Sequence, residues 1–294
     1  MKTAVIGGDK RMLYAAKAFS DSGAEVAIAG FDRLQSMCDI RIASVGEAVG
    51  WADICVLPIR PLTNGALTCP YSAETIPAEE FGRLSADKIV FCGGSQRISE
   101  YVTGKVYDYA AREDFLIQNS VLTAQGAVGL TMRIYEDSIR GANALVLGWG
   151  RIGKTLSRCL NALGARVTVA ARKPSDREWI RLEGMSAVDY SLKEINEYSL
   201  IYNTVPAPVL DREKLRRVRE DVILIDLASA PGGMDADTAN ARGLTFVHAL
   251  GLPGKTAPKA AGRIIKDTII NILKEENGGK DHSGLCDDRL LLHL

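Results

Sequence analysis

Ala144-Leu145-Val146-Leu147-Gly148-Trp149-Gly150-Arg151-Ile152-Gly153-Lys154 is the stretch that decides the fold. Four apolar residues form a short buried strand, three glycines follow at G-x-G-x-x-G spacing, and Lys154–Leu163 continues with helical periodicity. Strand, glycine turn and helix in that order are the fingerprint of a dinucleotide-binding β-α unit. Gly148 permits the tight turn, Gly150 lets the backbone approach a pyrophosphate, and Gly153 lets helix and strand pack closely. The helix N-terminus offers free N–H groups to phosphate. Trp149, Arg151 and Ile152 complete the expected cofactor loop.

The next strand names the cofactor. An NAD site usually places Asp or Glu about 20 residues on, to bind the ribose hydroxyls. Here Val167-Thr168-Val169-Ala170-Ala171 ends without an acid and runs into Arg172-Lys173. A cationic pair suits a 2′-phosphate, which a guanidinium grips bidentately. The expected cofactor is NADP, with NAD as the alternative and a plain solvated turn as the bland reading. Asn203-Thr204-Val205-Pro206 and Asp226-Leu227-Ala228 stand at the ends of later strands, the edge where open α/β sheets bind ligands. For Asp226 a structural role and a role near the nicotinamide are equal alternatives.

Working outward, apolar runs alternate with amphipathic stretches on both sides of this motif. Thr3–Gly8, Glu25–Phe31, Asp53–Ile59, Lys88–Gly94 and Lys105–Ala110 read as strands, with helical spacing over Lys10–Ser22 and Ser95–Thr103. After the motif come strands at Arg166–Ala171, Leu200–Val205, Val222–Leu227 and Leu244–Ala249. Helical stretches between them are Asp176–Glu183, Arg212–Arg219 and Asp235–Ala241. The predicted fold is therefore α/β, with two Rossmann-like, doubly wound parallel-sheet domains and an interdomain cleft. Residues 1–120 form the expected substrate domain, 121–139 a linking helix (Val121–Ser138), and 140–256 the NADP domain. A helix at Ala257–Glu276 is expected to return to the first domain, which residues 257–294 would complete. The tail Asn277–Leu294 is either a loose terminus or an interface element, compatible with a homo-oligomer.

At 294 residues the chain suits two domains, and 36 basic residues balance 36 acidic ones. No global field favours nucleic acid or a membrane surface, and no apolar run approaches the length that spans a bilayer. The Met1–Ile6 start lacks a signal peptide's pattern, so a cytoplasmic location is expected. The six cysteines (Cys38, Cys55, Cys69, Cys92, Cys159, Cys286) form no C-x-x-C pair, and the three histidines are dispersed. Buried reduced thiols and no metal site are expected.

In the first domain Gly7-Gly8-Asp9-Lys10-Arg11 follows a strand without G-x-G-x-x-G spacing. It is either a loop facing the cleft and the substrate or an ordinary β-α turn. Gly93-Gly94-Ser95-Gln96-Arg97 is a similar loop, whose N–H groups at a helix start suit a carboxylate. Arg60, after another strand, is an anion contact or a surface charge.

Several segments together resemble one family, the dipicolinate synthase A subunits of spore-forming bacteria. They are Ala4–Arg11, Asn119-Ser120 with Thr123 and Gly126, Gly148–Gly153, Asn203–Pro206, Asp226–Gly233 and Gly251–Lys259. The resemblance implies sporulation-stage synthesis of pyridine-2,6-dicarboxylate in the mother cell. The substrate it implies is a small cyclic dicarboxylate, 4-hydroxytetrahydrodipicolinate or its dehydrated form. It also implies nicotinamide-dependent dehydrogenation in partnership with a flavoprotein-like B subunit. The family pattern carries a proline and a glutamate where this chain has Leu122 and Gln125, so acid-base work is not assigned there.

The candidate substrate residues are Ser95, Arg97, Asn119 and Lys259, with Arg60 behind them. Lys259 and His248 are the candidates for catalysis, each weighed against a solvated lysine and a hydrogen-bonded core histidine. The alternatives are a two-domain 2-hydroxyacid or amino-acid dehydrogenase and a non-catalytic NADP-binding partner protein. The first is weakened because Leu227-Ala228-Ser229 lacks the arginine such enzymes place after this strand.

Overall fold

The structure, a computed structural model, describes residues 1–34 and 40–278. The apolar tail Leu290-Leu291-Leu292, Cys38, Cys286, His282 and His293 lie outside the described residues. The chain divides into two compact units, unit 1 made of Met1–Asn119 with the chain from Ala257, and unit 2 made of Ser120–Thr256.

Unit 1 begins β1 (Lys2–Ile6), α1 (Lys10–Asp21), β2 (Glu25–Ala29), β3 (Arg41–Ile42), α2 (Val45–Trp51) and β4 (Ile54–Val56). A short antiparallel hairpin, β5 (Leu62–Thr63) and β6 (Ala66–Leu67), then leads to α3 (Ala78–Leu84), β7 (Ile89–Cys92) and β8 (Val106–Asp108). The six-stranded sheet runs β3-β2-β1-β4-β7-β8, all parallel. α4 (Glu113–Ile134) carries the chain into unit 2.

Unit 2 contains β9 (Asn143–Leu147), α5 (Arg151–Ala162), β10 (Arg166–Ala170), α6 (Pro174–Leu182), β11 (Ser186–Val188) and β12 (Leu200–Asn203). It closes with α7 (Arg212–Arg217), β13 (Ile223–Asp226), α8 (Ala236–Ala241), β14 (Thr245–His248) and α9 (Leu252–Thr256). The sheet order is β11-β10-β9-β12-β13-β14, again wholly parallel. Both sheets are the doubly wound order in which helices cover two faces. β9 shows why its sequence is continuously apolar. Ala144 and Val146 face a core with Leu156 and Leu160 of α5, while Leu145 and Leu147 face the opposite one with Leu215 and Ala239.

α10 (Pro258–Gly278) belongs to unit 1 and packs on α1. Gly262 makes that contact possible, because a Cβ there would lie 2.6 Å from the Ala15 amide nitrogen and 2.7 Å from the Arg11 carbonyl oxygen. Two expectations need correction. The helix expected at Val121–Ser138 starts earlier, at Glu113, and stops at Ile134. Its first turns mix exposed Glu113, Ile117 and Gln118 with buried Phe115, so they show no clean apolar period. Ser95–Thr103 is only a 3-10 turn, Ser95–Arg97, because Gly94 enters it in the left-handed region (φ +59°). The short helices α2 and α3 and the edge strands β3 and β11 carry too few apolar positions to show a period.

Candidate dinucleotide site

The register of unit 2 sets Leu147, Asn203, Asp226 and His248 side by side on neighbouring strands β9, β12, β13 and β14, at the C-terminal edge of the sheet. The glycine loop leaves β9 at this edge. Gly148 has φ +104°, and a Cβ there would meet Thr204 Oγ1 at 2.6 Å and Val205 at 2.9 Å. At Gly153 a Cβ would stand 2.1 Å from the Gly148 carbonyl oxygen, so α5 and the turn touch backbone to backbone. Gly150 is the opposite case. It is exposed, and a Cβ added there would meet nothing within 4 Å. No side chain caps α5 at Gly150. A tight turn, a helix packed on it and open space over the middle glycine form a cradle that fits a pyrophosphate.

The side chains of the loop do other work. Trp149 is buried in the core beside α5, with Lys154 Nζ 5.8 Å from its ring, and Ile152 packs on the same core. Arg151 is exposed. At the end of β10, Arg172 and Lys173 are exposed, and no acidic side chain intervenes before Asp176 on α6. The turn is held from below by Arg177, whose Nη1 donates to the carbonyls of Ala171 and Arg172, 3.0 Å each. Sequence reasoning missed Arg177. Its position five residues after Arg172, one turn into α6, was the available signal.

Asn203 and Asp226 are both buried and bonded to each other, Asn203 Nδ2 donating to Asp226 Oδ1 at 2.8 Å. Asn203 also ties its own loop, accepting from the Val205 amide (2.9 Å) and donating to the Val205 carbonyl (3.0 Å). Asp226 further accepts the amides of Ala228 (3.0 Å), Gly233 (2.7 Å) and Met234 (3.2 Å). A buried carboxylate with four donors is fully satisfied. It shapes the loop after β13 and offers that loop, not its own oxygens, to a ligand. Thr204 Oγ1 is likewise spent on the Leu147 carbonyl at 2.8 Å, Val205 is half-buried against Gly148, and Pro206 is exposed.

His248 Nε2 donates to the Ala228 carbonyl at 2.9 Å. A carbonyl can only accept, which fixes the proton of the neutral ring on Nε2 and leaves Nδ1 as the basic nitrogen. Its partner is a carbonyl where hydroxyacid dehydrogenases use an acid.

Unit 1 places the other expected residues on separate elements. Arg60 and Arg97 are exposed in the loops after β4 and β7, and Asn119 is half-buried on α4. The Ser95 amide is not a free anion donor. It donates to Asp108 Oδ2 at 3.0 Å. Lys259 lines a crevice of about 350 Å³ between α1 and α10, with Tyr14, Lys17 and Arg263, apart from the strand-end loops. Among the described residues no cluster of His, Cys, Asp and Glu could hold a metal ion, and no helix is long and apolar enough to cross a membrane. Burial pushes the thiols of Cys55 and Cys92 up to about 12 and that of Cys69 up to about 11.

Residues 2–107 match the model of the N-terminal domain of the dipicolinate synthase A subunit. Residues 116–234 match that of the D-isomer specific 2-hydroxyacid dehydrogenase NAD-binding domain. The dipicolinate synthase A subunit of Bacillus subtilis is 31% identical over 288 residues, covering 94% of this chain and 96% of that protein. The chain belongs to the family of dipicolinate synthase A subunits. The crystal structure of the Bacillus halodurans A subunit has a TM-score of 0.83 at 31% identity, covering 92% of this chain and 97% of that one. The Bacillus subtilis structure gives 0.83 at 29%, with 95% and 97% covered. Unit 2 is thus a dehydrogenase-type, nicotinamide-dinucleotide domain of this family. On α4, Leu122 is buried and Gln125 exposed.

Proposed function

We propose that the chain is an NADP-dependent dehydrogenase that converts a dihydrodipicolinate-type ring into pyridine-2,6-dicarboxylate, during sporulation in the mother cell, partnered by a flavoprotein-like B subunit. The observation that carries the cofactor half is the cradle of Gly148, Gly150 and Gly153, followed by an acid-free β10 exit bearing exposed Arg172 and Lys173. Arg172 would grip the 2′-phosphate, Lys173 would add charge, and Arg177 would hold their turn in place.

Bound NADP+ supplies the hydride acceptor. Loss of water from 4-hydroxytetrahydrodipicolinate gives the dihydropyridine, which becomes aromatic by losing one hydride and one proton. The protein's work is orientation, carboxylate binding and proton removal. His248 takes the proton at Nδ1, its ring being fixed through Nε2 by Ala228. Asn203 and Asp226 would shape the loops after β12 and β13, at the strand edge that would receive the nicotinamide. Arg60, Arg97, the Ser95 hydroxyl and Asn119 serve the substrate's carboxylates. Lys259, in its helix crevice, is the weakest member of that set.

The test is turnover of freshly generated 4-hydroxytetrahydrodipicolinate with NADP+, with and without the B subunit, following nicotinamide absorbance and dipicolinate together. Dipicolinate that depends on this chain and tracks NADPH one for one is the expected result. Dipicolinate formed without nicotinamide reduction would leave the chain a non-catalytic binding protein.

A further inference from the structure

In unit 1 the connections from β1 to β2 and from β4 to β7 run in opposite directions along the sheet. The C-terminal ends of the neighbouring strands β1 and β4 therefore flank a topological switch point, where open α/β sheets bind their ligands. The loops there are built tightly. Gly7 and Gly8 have φ +64° and +86°, and a Cβ on Gly8 would lie 2.8 Å from Pro58 in the loop after β4. The Gly8 amide donates to the Thr68 carbonyl at 2.7 Å. Across the edge, the buried Tyr109 hydroxyl donates to the Leu57 carbonyl at 3.0 Å.

Arg11 stands in the first turn of α1 beside this switch point. Its Nε donates to Asp9 Oδ1 at 2.9 Å and Oδ2 at 3.1 Å, and its Nη2 to Oδ2 at 2.8 Å. Asp9 is itself the cap of α1, accepting the Arg11 amide at 3.0 Å. This fork fixes the plane of a guanidinium whose side chain is only 19% exposed. Nη1 has no hydrogen-bond partner among the described residues, yet it is not among the buried unpartnered atoms, so it meets solvent. Arginine held rigidly by one edge and open on another is prepared for a planar anion. The charge of Arg11 is also felt at Tyr109, under the ends of β4 and β8.

We infer that Arg11 binds a carboxylate of the small-acid substrate at the β1–β4 switch point, with Asp9 as the residue that positions it. The inference rests on the dicarboxylate reading above and adds the residue that recognises the acid. A guanidinium pre-set by Asp9 loses little freedom on binding, and that pre-organisation outweighs the repulsion of the neighbouring carboxylate.

Titration calorimetry on the full chain tests it with four probes: pyridine-2,6-dicarboxylate, its neutral diamide, succinate and malonate. NADPH fluorescence serves as the check of folding. Expected is binding of the pyridine diacid but not the diamide, weakened roughly 10- to 100-fold in Arg11→Gln with NADPH binding unchanged. Arg11→Lys should recover part of the loss, and Asp9→Asn should weaken the diacid several-fold by freeing the guanidinium. If only succinate or malonate binds, and Arg11→Gln abolishes it, Arg11 remains the acid site and the pyridine reading falls. Undiminished acid binding in Arg11→Gln, or no acid bound by the wild type, overturns the inference. Should Arg11→Gln fail to fold, wild-type affinity in both Arg11→Lys and Asp9→Asn overturns it equally.

Discussion

Gly150 and Gly153 are three residues apart and do opposite things, which makes them the sharpest pair to mutate. Alanine at Gly150 meets no protein atom within 4 Å, and its φ of −82° suits any residue. Gly150→Ala should fold like the wild type and lose NADPH affinity by at least about tenfold, because the methyl occupies space that pyrophosphate needs. Gly153→Ala, driven against the Gly148 carbonyl, should lose stability by about 1–3 kcal/mol as well. Urea unfolding beside NADPH titration separates the two, and equal stability losses would refute the cradle. Arg177 is a subtler residue. Arg177→Met removes both hydrogen bonds that hold the Ala171–Arg172 turn. NADPH affinity should fall roughly fivefold, the worth of one net hydrogen bond, while NADH affinity stays nearly constant. Equal losses for both nucleotides would deny the turn any role at the 2′-phosphate. The tight turn at Gly148 and the close packing at Gly153 were readable because their chemistry is local to the motif. The engagement of Asp226, the loss of the Ser95 amide to Asp108 and the place of Arg177 were not, since each depends on a partner brought close by folding.

Among elements, α10 shows which forces hold a helix in unit 1. Its crossing with α1 is a backbone contact at Gly262, so Gly262→Ala must push the helices apart and should cost about 1–3 kcal/mol by overpacking. Its far end is fastened by charge, Arg112 donating to both oxygens of Glu275 (2.6 and 2.7 Å) and to Asp114 at 3.2 Å. The Arg112 hydrogen bonds hold Glu275 below its ordinary value. For Asp114 burial acts upward, but the bonds from Arg112, Asn271 and the Phe115 amide outweigh it and lower the carboxyl. Carboxyls depressed in the folded state stabilise above their unfolded values, about 4, and that contribution is lost as pH falls through the folded values. Arg112→Gln should therefore melt slightly below wild type at pH 7, with the gap closing below about pH 4. A gap that persists at pH 3 would mean Arg112 acts by packing. The same contrast explains what was legible at this scale. Buried strands such as β9 announce themselves by unbroken apolar runs. α2, a helix of seven residues with two glycines, has only its Ser44–Glu47 capping box to mark it.

The whole molecule repeats one strand order twice, yet only unit 2 carries the glycine spacing that lets a dinucleotide approach its sheet edge. Each unit has its own core, Ala4, Ile6, Val90 and Phe81 in unit 1 against Val146, Leu156 and Ile225 in unit 2. A ligand that binds one folded unit stabilises that unit by mass action, by about 2.7 kcal/mol at a hundredfold excess over Kd. Hydrogen exchange with NADPH present should therefore slow roughly 100-fold at amides of β9, β10 and β12 that exchange by unfolding of their unit. Amides of β1, β4 and β7 should change little. Equal slowing in both sheets would show that the units unfold as one cooperative body, and slowing confined to unit 1 would move the dinucleotide to the other sheet. Pyridine-2,6-dicarboxylate in the same experiment should protect the other half of the map, at Gly8–Met12 and the loop after β4. The two ligands then report separately on a dinucleotide edge set by glycine and an acid edge set by Arg11.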